Sequence, residues 1–262
     1  MGFDAEWLTL REPADAGARD PSLLARAVKH AGATATVLDL GCGTGATARA
    51  FQSVGASEIR WRFFDNDPQL LACAADRHPQ AEMCRGNLAV IDRLPIAGVS
   101  LVTASALLDL VSRDWLGRFV ARLAKENVAL YAALSYDGVM RWTPDDPEDA
   151  GITECFNRHQ RSDKGFGPAL GPNATVCAAE ILIAHGYDVS IAPSFWRLGG
   201  EQTELQRALL GGIAQAAGEM GHGATEGWFR RREQRLGQGL VEIGHSDLLA
   251  LPPGQAGDAR HG

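Results

Sequence analysis

Apolar and amphipathic stretches alternate along the chain from about residue 20 to about residue 190. Short apolar runs such as ATVLDL at 35–40 and VALYAALSY at 128–136 are typical of buried parallel strands. Between them, stretches such as RDWLGRFVARLAKEN at 113–127 place apolar side chains on one face of a helix. This order of elements predicts a doubly wound, mostly parallel α/β sheet.

Two stretches interrupt the alternation. Residues 137–173 mix proline, glycine, tryptophan and charged residues, which predicts an inserted cap after the fifth strand. Residues 201–236 predict one or two helices inserted before a last strand, GLVEIGHSDLLALP at 239–252. We therefore expect residues 1–262 to form a single domain that carries both insertions.

The composition is typical of a soluble globular protein, because 45% of the 262 residues are hydrophobic and 22% are charged. The formal net charge of −7 disfavours a nucleic-acid partner, since an acidic surface repels phosphate backbones. No apolar run reaches the roughly 18–20 residues that cross a bilayer, so we expect no membrane partner. Five cysteines without a CxxC pair argue against a disulfide framework and against a bound metal such as zinc. Together with a polar amino-terminal stretch unlike a signal peptide, they favour the cytoplasm.

The stretch VLDLGCGTGA at 37–46 places three glycines after an apolar strand. In a doubly wound sheet such a loop lies at the carboxyl end of the strand, where nucleotide-like ligands bind. The spacing Gly41-x-Gly43-x-x-Ala46 also satisfies the dinucleotide pattern, which alone is weak evidence. Asp39 separates the two classes of ligand, because its carboxylate would repel a pyrophosphate and attract an ammonium and a sulfonium. S-adenosylmethionine carries both of these cations, so the stretch favours this ligand over NAD.

VLDLGCGTGA resembles motif I of the class I S-adenosylmethionine-dependent methyltransferases. The resemblance covers residues 20–136 well and the later strands loosely. It implies the seven-stranded sheet of that family. It also implies S-adenosyl-L-methionine as cofactor, with S-adenosyl-L-homocysteine as the product.

The resemblance also assigns roles to residues after the glycine loop. Asp65 ends the second strand, 20 residues after Gly45, where a carboxylate can accept hydrogen bonds from both ribose hydroxyls. In RGNL at 85–88, Asn87 would pair with the adenine and Leu88 would pack on its ring, although the family more often has aspartate at the first of these positions. The expected cofactor-binding residues are Arg19, Asp39, Gly41, Cys42, Gly43, Asp65, Asn66, Asn87, Leu88 and Ser105.

Several of these residues have a purely structural alternative. Arg19 can bind the carboxylate of the ligand through its guanidinium fork, or form a surface ion pair with Glu12 or Asp15. Asp65 can cap the following helix, a position for which Asp67 is better placed. Asp39 can cap a loop, and Cys42 is expected to fill space in a tight loop rather than to act as a nucleophile.

The methyl acceptor is expected between the end of the fourth strand and the cap. Asp109 is a candidate catalytic residue, and a helix cap is the equal alternative. His159 is a candidate general base, with a solvated surface histidine as the alternative. His245, on the last strand, is interpreted as structural. The candidate substrate-binding residues are Trp142, Arg161, Lys164 and Phe166.

The fourth strand ends in ASAL, not in the Asn/Asp-Pro-Pro-aromatic sequence typical of methyltransferases that act on exocyclic amines of bases. This favours a small-molecule methyl acceptor, with oxygen or nitrogen as the accepting atom. Three other functions stay open. They are an NAD-dependent oxidoreductase, a protein or RNA methyltransferase, and a non-catalytic S-adenosylmethionine-binding protein. The sequence leaves the oligomeric state undetermined.

Overall fold

The structure, a computed structural model, describes residues 4–254, which form a mixed sheet flanked by helices. Its strands are β1 (Thr36–Leu40), β2 (Arg60–Asp65), β3 (Glu82–Arg85), β4 (Leu101–Ser105), β5 (Ala129–Thr143), β6 (Asp188–Pro193), β7 (Trp196–Leu198) and β8 (Leu240–Leu251). Its helices are α1 (Ala5–Ala18), α2 (Pro21–Ala31), α3 (Ala46–Ser53), α4 (Pro68–Arg77), α5 (Arg113–Glu126), α6 (Asp149–Gln160), α7 (Ala174–Ala184), α8 (Thr203–Glu219) and α9 (Thr225–Glu233).

The sheet has the order β3-β2-β1-β4-β5-β8-β6, and β7 also pairs with β8. Strands β1 to β5 are parallel, whereas β8 is antiparallel to β5, β6 and β7. The predicted doubly wound, mostly parallel sheet is therefore confirmed. The structure splits the predicted sixth strand into β6 and β7, which gives eight strands in place of seven. The carboxyl ends of β1 and β4 form the crevice where such sheets bind ligands, because the strand order reverses between them.

Two hydrophobic clusters fix the central strands. Leu38 and Leu40 of β1 pack with α5 and α7 on one face, whereas Val37 packs with α2 and α3 on the other. All three side chains are fully buried, which is why this strand reads as a continuous apolar run.

The predicted end of the fifth strand at Tyr136 is wrong, because β5 continues to Thr143. Its pairing with β8 shifts register twice, between Ala132 and Ser135 and again between Tyr136 and Met140. Such shifts mark β-bulges, which bend a strand without ending it. Asp137 and Gly138 form part of the second bulge, so a pair of residues typical of turns lies inside a strand.

The predicted cap therefore begins as strand and continues as helix. After β5 the chain forms α6, an isolated bridge between Asp163 and Pro168, and a short 3₁₀ turn at Gly171–Asn173. Helix α6 packs against α8 of the predicted helical insertion through a third hydrophobic cluster, which includes Ile152 and Leu210. Both insertions thus cover the long β5–β8 pair.

Helix α1 was not predicted, since Pro13 lies in its middle and proline usually ends a helix. The helix begins at Asp4, whose side chain accepts a hydrogen bond of 2.7 Å from the amide of Trp7. Its inner face buries Arg11 and Asp15 and brings Leu8 onto the glycine loop. No helix between residues 4 and 254 combines the length and the apolar character that a membrane crossing requires.

Candidate functional site

The glycine loop between β1 and α3 has a backbone conformation that favours glycine. Gly41, Gly43 and Gly45 have φ angles of +63°, +53° and +82°. A Cβ atom on Gly43 would lie 2.9 Å from Cδ1 of Leu8, and one on Gly45 would lie 2.7 Å from Cδ2 of His78. The loop is therefore packed tightly between α1 and the end of α4.

Asp39 lies at the end of β1 with its side chain buried. Thr103 of β4 donates a hydrogen bond of 2.6 Å to Oδ1, whereas Oδ2 is buried and has no hydrogen-bond partner among residues 4–254. Burial raises the pKa of Asp39 to about 7, and the hydroxyl of Thr103 and the charge of Arg19 oppose this rise. The alternative of a loop cap is wrong, because this carboxylate accepts from a side chain of the neighbouring strand.

Arg19 lies between α1 and α2 and is buried, so the alternative of a surface ion pair is wrong. Its Nη2 donates a hydrogen bond of 2.8 Å to Oγ of Ser105, and that oxygen lies 3.2 Å from Oγ1 of Thr47. Nη1 is buried and has no partner within the described part of the chain. The two acidic residues considered as partners are used elsewhere, because Asp15 pairs with Arg11 and Glu12 pairs with Arg49.

Asp65 connects β2 to the glycine loop. Its Oδ2 accepts a hydrogen bond of 3.0 Å from the amide of Gly43, and its Oδ1 accepts one of 3.0 Å from the amide of Asp67. Asp67 is the residue that caps α4, accepting from Gln69 at 2.7 Å, so Asp65 is not the cap. Burial raises the pKa of the Cys42 thiol, which keeps this side chain protonated in the same loop.

The expected adenine-binding residues lie at the rim of the crevice. Asn87 is exposed, and its Oδ1 accepts a hydrogen bond of 2.8 Å from the amide of Ala89. The carbonyl of Leu88 accepts a hydrogen bond of 2.8 Å from Nε1 of Trp115, and its side chain lies next to Gly41. Asn66, also exposed, follows Asp65 at the carboxyl end of β2.

Asp109 lies in a short 3₁₀ turn after β4, and its side chain is buried. The cap alternative is wrong, because Ser112 caps α5 by accepting from the amide of Trp115 at 3.2 Å. Oδ1 of Asp109 has no partner among the residues that the structure describes. Burial raises the pKa of Asp109 to about 6, and the charge of Arg11 opposes the rise.

The cap residues divide into two groups. His159 lies 3.0 Å from Glu219 of α8, and Lys164 donates to the carbonyl of His159 at 3.1 Å. His159 and Lys164 thus lie together at the end of α8, whereas Arg161 lies next to Gly171, where an added Cβ would be 3.2 Å from its Cγ. Phe166 lies away from α8, with its ring 5.8 Å from that of Trp115. Trp115 in turn donates a hydrogen bond to the carbonyl of Leu88, in the stretch expected to bind adenine.

Trp142 does not line the crevice. Its ring packs 5.4 Å from that of Trp228 and 5.3 Å from the guanidinium of Arg232, inside the third cluster. Trp142 lies on the buried face of β5, because this strand extends to Thr143 where an inserted cap was predicted.

Asp247 on β8 is a site residue that the sequence analysis missed. It is fully buried and accepts hydrogen bonds from the amide of Asp20 at 2.9 Å, the hydroxyl of Tyr131 at 3.1 Å and the amide of Leu134 at 2.9 Å. These bonds hold the junction of α1 and α2, and therefore Arg19, against the sheet. A lone aspartate in the apolar run SDLLAL was the available signal.

The buried carboxyl group of Asp39 predicts a pH dependence of stability. Because burial raises its pKa from 3.8 to about 7, the folded protein keeps a proton that the unfolded chain releases over this range. This contribution to stability is complete below the unfolded pKa and is lost as the pH rises through the folded one. Relative to Asp39→Asn, the ligand-free wild type should therefore lose about 4 kcal/mol across this range.

Urea unfolding at a series of pH values measures this difference. Asp76→Asn, at an exposed position of α4, is the control and should follow the wild type at every pH. A constant difference between wild type and Asp39→Asn would show that Asp39 does not titrate in this way.

Comparison with known proteins agrees with the geometry of the crevice. Residues 37–126, from the glycine loop to the end of α5, match the family model described as a methyltransferase domain. This segment, which is less than half of the chain, is similar to that methyltransferase domain. S-adenosylmethionine is the cofactor that this family implies.

Solved structures resemble this chain in fold. An O-methyltransferase family protein from Burkholderia thailandensis has a TM-score of 0.50 and 13% identity, over 92% of this chain and 57% of its own. A possible exported protein from Bordetella parapertussis has a TM-score of 0.49 and 13% identity, over 88% of this chain and 66% of its own. The cyclopropane synthase MmaA2 from Mycobacterium tuberculosis has a TM-score of 0.46 and 15% identity, over 87% of this chain and 83% of its own. The chain thus spans less than two thirds of the first two proteins. No curated protein matches its sequence.

Proposed function

We propose that the protein transfers the methyl group of S-adenosylmethionine to a small-molecule acceptor, at an oxygen or a nitrogen atom. The observation that carries this proposal is a buried pair of opposite charge. Arg19, at the α1–α2 junction, and Asp39, at the end of β1, each keep one buried atom, Nη1 and Oδ2, without a hydrogen-bond partner among residues 4–254. An unsatisfied buried polar atom costs about 1–3 kcal/mol, so a ligand that pairs with both atoms is strongly favoured.

The amino-acid head of S-adenosylmethionine has the charges that this pair requires. Its carboxylate would accept from Nη1 of Arg19, and its ammonium would donate to Oδ2 of Asp39. NAD offers a pyrophosphate and no ammonium, so the pair supports the methyltransferase over the oxidoreductase. S-adenosylhomocysteine carries the same head, and we expect it to bind at the same residues.

The remaining residues of the crevice suit the adenosine. Both oxygens of Asp65 already accept a backbone hydrogen bond, and each keeps a second lone pair for a ribose hydroxyl. Leu88 and Asn87 would hold the adenine at the rim. When bound, S-adenosylmethionine supplies an electrophilic methyl group. The chain fixes its orientation and, through Leu8 of α1, covers the glycine loop against water.

A small-molecule acceptor and a cytoplasmic location complete the proposal. The formal net charge of −7 disfavours RNA, and the insertions cover β5 and β8 through the third hydrophobic cluster. All five cysteines are free, which suits a reducing compartment.

Methyl-labelled S-adenosylmethionine tests the proposal. The protein is incubated with labelled cofactor and a cell extract that is then separated into metabolite, protein and RNA fractions. We expect the label in the metabolite fraction. Asp65→Ala should abolish the transfer, whereas Asp76→Ala on the exposed face of α4 should not. Label in protein or RNA alone would contradict the small-molecule acceptor, and label in no fraction would contradict methyl transfer.

A further inference from the structure

Strand β8 carries a second set of buried polar groups, close to the residues proposed to bind the cofactor. Alternate residues of a strand point to the same face and lie roughly 7 Å apart, so His245 and Asp247 share one face of β8. Asp247 anchors Asp20, the neighbour of Arg19. His245 therefore lies two residues along β8 from Asp247, which anchors the chain neighbour of Arg19.

Aromatic side chains from three elements surround His245. Its ring lies 5.1 Å from that of Trp196 on β7 and 6.2 Å from that of Tyr136, its direct partner on β5. Phe156 of α6 packs edge-to-face on Tyr136, with ring centroids 5.6 Å apart. Flat aromatic groups are well suited to packing against walls of this kind.

The charged groups of α1 that face this region already have partners. Arg11 donates two hydrogen bonds to Asp15, at 2.8 and 3.1 Å, and its guanidinium lies 5.1 Å from the centre of the Trp196 ring. Nε1 of Trp196 donates to Asp15 at 3.0 Å. The charges of Arg11 and Asp15 thus balance each other, and Arg11 forms no hydrogen bond to Asp109.

Asp109 and His245 are therefore left with unused polar atoms. Asp109 is 7% exposed and His245 is 6% exposed, yet neither Oδ1 of Asp109 nor Nδ1 of His245 has a partner among the described residues. Both side chains adjoin Tyr136. The amide of Tyr136 lowers the pKa of Asp109, and His245 lies opposite Tyr136 in the sheet. Native proteins rarely leave buried polar atoms without a partner, and a bound ligand is one way of supplying it.

We propose that Asp109 and His245 form the acceptor subsite, and that the acceptor is a small aromatic compound whose hydroxyl group lies between these two side chains. This inference rests on the proposed function, since it places the acceptor next to the amino-acid end of the cofactor. The aromatic rings of Tyr136 and Trp196 form the walls of the subsite.

Asp109 and His245 have different parts in the transfer. Burial raises the pKa of Asp109 to about 6, so at neutral pH this side chain is a carboxylate that can take a proton. Burial and the charge of Arg11 lower the pKa of His245 to about 3, so His245 is neutral and holds the hydroxyl group by a hydrogen bond. Burial, and after it the charges of Asp137 and Asp109, raise the pKa of the Tyr136 hydroxyl. Asp137 of β5 is therefore a further carboxylate near this subsite, and its Oδ1 accepts a hydrogen bond of 2.9 Å from the amide of Val139.

The transfer is balanced in atoms and charge. The acceptor oxygen loses its proton to Asp109 and forms a bond to the methyl carbon. The bond between that carbon and sulfur breaks, its electron pair stays on sulfur, and the sulfonium becomes a neutral thioether. A neutral amine attacks through its own lone pair and needs no base beforehand, so a buried carboxylate without a partner indicates a hydroxyl acceptor.

Matched acceptors test the substrate class. The protein is incubated with methyl-labelled S-adenosylmethionine and either 4-methylphenol or 4-methylaniline, and separately with 1-naphthol or 1-naphthylamine. We expect at least tenfold more label in the phenols than in the amines. Equal or greater labelling of the amines, or no labelling of either phenol above a sample without enzyme, would overturn the proposal.

Two variants test the residues. Asp109→Asn should lower kcat for the phenol at least 100-fold and leave the Kd for S-adenosylmethionine within twofold, since it keeps the shape of the side chain and removes the base. His245→Leu should raise KM about tenfold while raising Tm, because it removes a buried polar atom without a partner. Asp114→Asn and His185→Leu, at exposed positions, are the matched controls.

A readout besides activity separates this proposal from the proposed function. Quenching of tryptophan fluorescence by 4-methylphenol, in the presence of S-adenosylhomocysteine, should be weaker in His245→Leu than in the wild type. A wild type that gives no calorimetric heat with S-adenosylmethionine contradicts the proposed function. A wild type that binds the cofactor while both variants keep normal kinetics and quenching overturns the subsite alone.

Discussion

Replacing Asp247 with alanine is expected to destabilise the protein by about 3 kcal/mol or more. Three donors from three parts of the chain, the amides of Asp20 and Leu134 and the hydroxyl of Tyr131, lose the carboxylate of Asp247 as acceptor in a fully buried place. Each unsatisfied donor costs about 1–3 kcal/mol, and the sum is reduced where the backbone can relax. Urea unfolding followed by tryptophan fluorescence measures the loss.

Asp247→Asn and Asp188→Ala complete this experiment. The asparagine keeps one acceptor oxygen and brings a donor toward the remaining N–H and O–H groups, so we expect an intermediate loss of stability. Asp188 is exposed on β6, and its replacement should change the free energy of unfolding by less than about 0.5 kcal/mol. A loss of less than about 1 kcal/mol in Asp247→Ala would mean that this carboxylate does not hold the α1–α2 junction.

Replacing Arg19 with alanine is expected to weaken S-adenosylmethionine binding about 10- to 100-fold. A hydrogen bond to a charged group contributes about 1.5–3 kcal/mol, and each 1.4 kcal/mol is a factor of ten in Kd. Arg19→Lys should restore only part of the affinity, because a lysine cannot donate to Ser105 and to a carboxylate in the same fork geometry. Calorimetric titration with the cofactor measures both variants.

Arg26→Ala is the control for Arg19, since Arg26 lies on α2 and bonds to Ser190 at 2.9 Å. It should bind the cofactor as the wild type does. If Arg19→Ala also stays within twofold of the wild type, Arg19 has no part in cofactor binding.

Local patterns explain what the sequence predicted. The alternation of strands and helices, and glycines directly after β1, are properties of neighbouring residues, so they predicted the sheet and its loop. Arg19 and Ser105 are 86 residues apart, and both were expected to bind the cofactor, but the hydrogen bond of 2.8 Å between them was not predicted.

Contacts between distant elements explain what the sequence did not predict. Pro13 and the pair Asp137–Gly138 carry the local signals of a break, but α1 and β5 continue through them because each buries a face against the third cluster. His245 was interpreted as structural because it was expected on the last strand, far from the ligand. Its register with Tyr136, set by the bulges of β5, is not visible in either strand alone. The bulge also moves Trp142 into the core.

The central claim is that Arg19 and Asp39 recognise the amino-acid head of the cofactor. 5′-Methylthioadenosine shares the adenosine and the sulfur of S-adenosylhomocysteine and lacks this head, so calorimetric titration with both compounds tests the claim directly. We expect the wild type to bind S-adenosylhomocysteine at least 100-fold more tightly than 5′-methylthioadenosine, and Arg19→Ala to lose most of this preference. Equal binding of the two compounds by the wild type would contradict the claim.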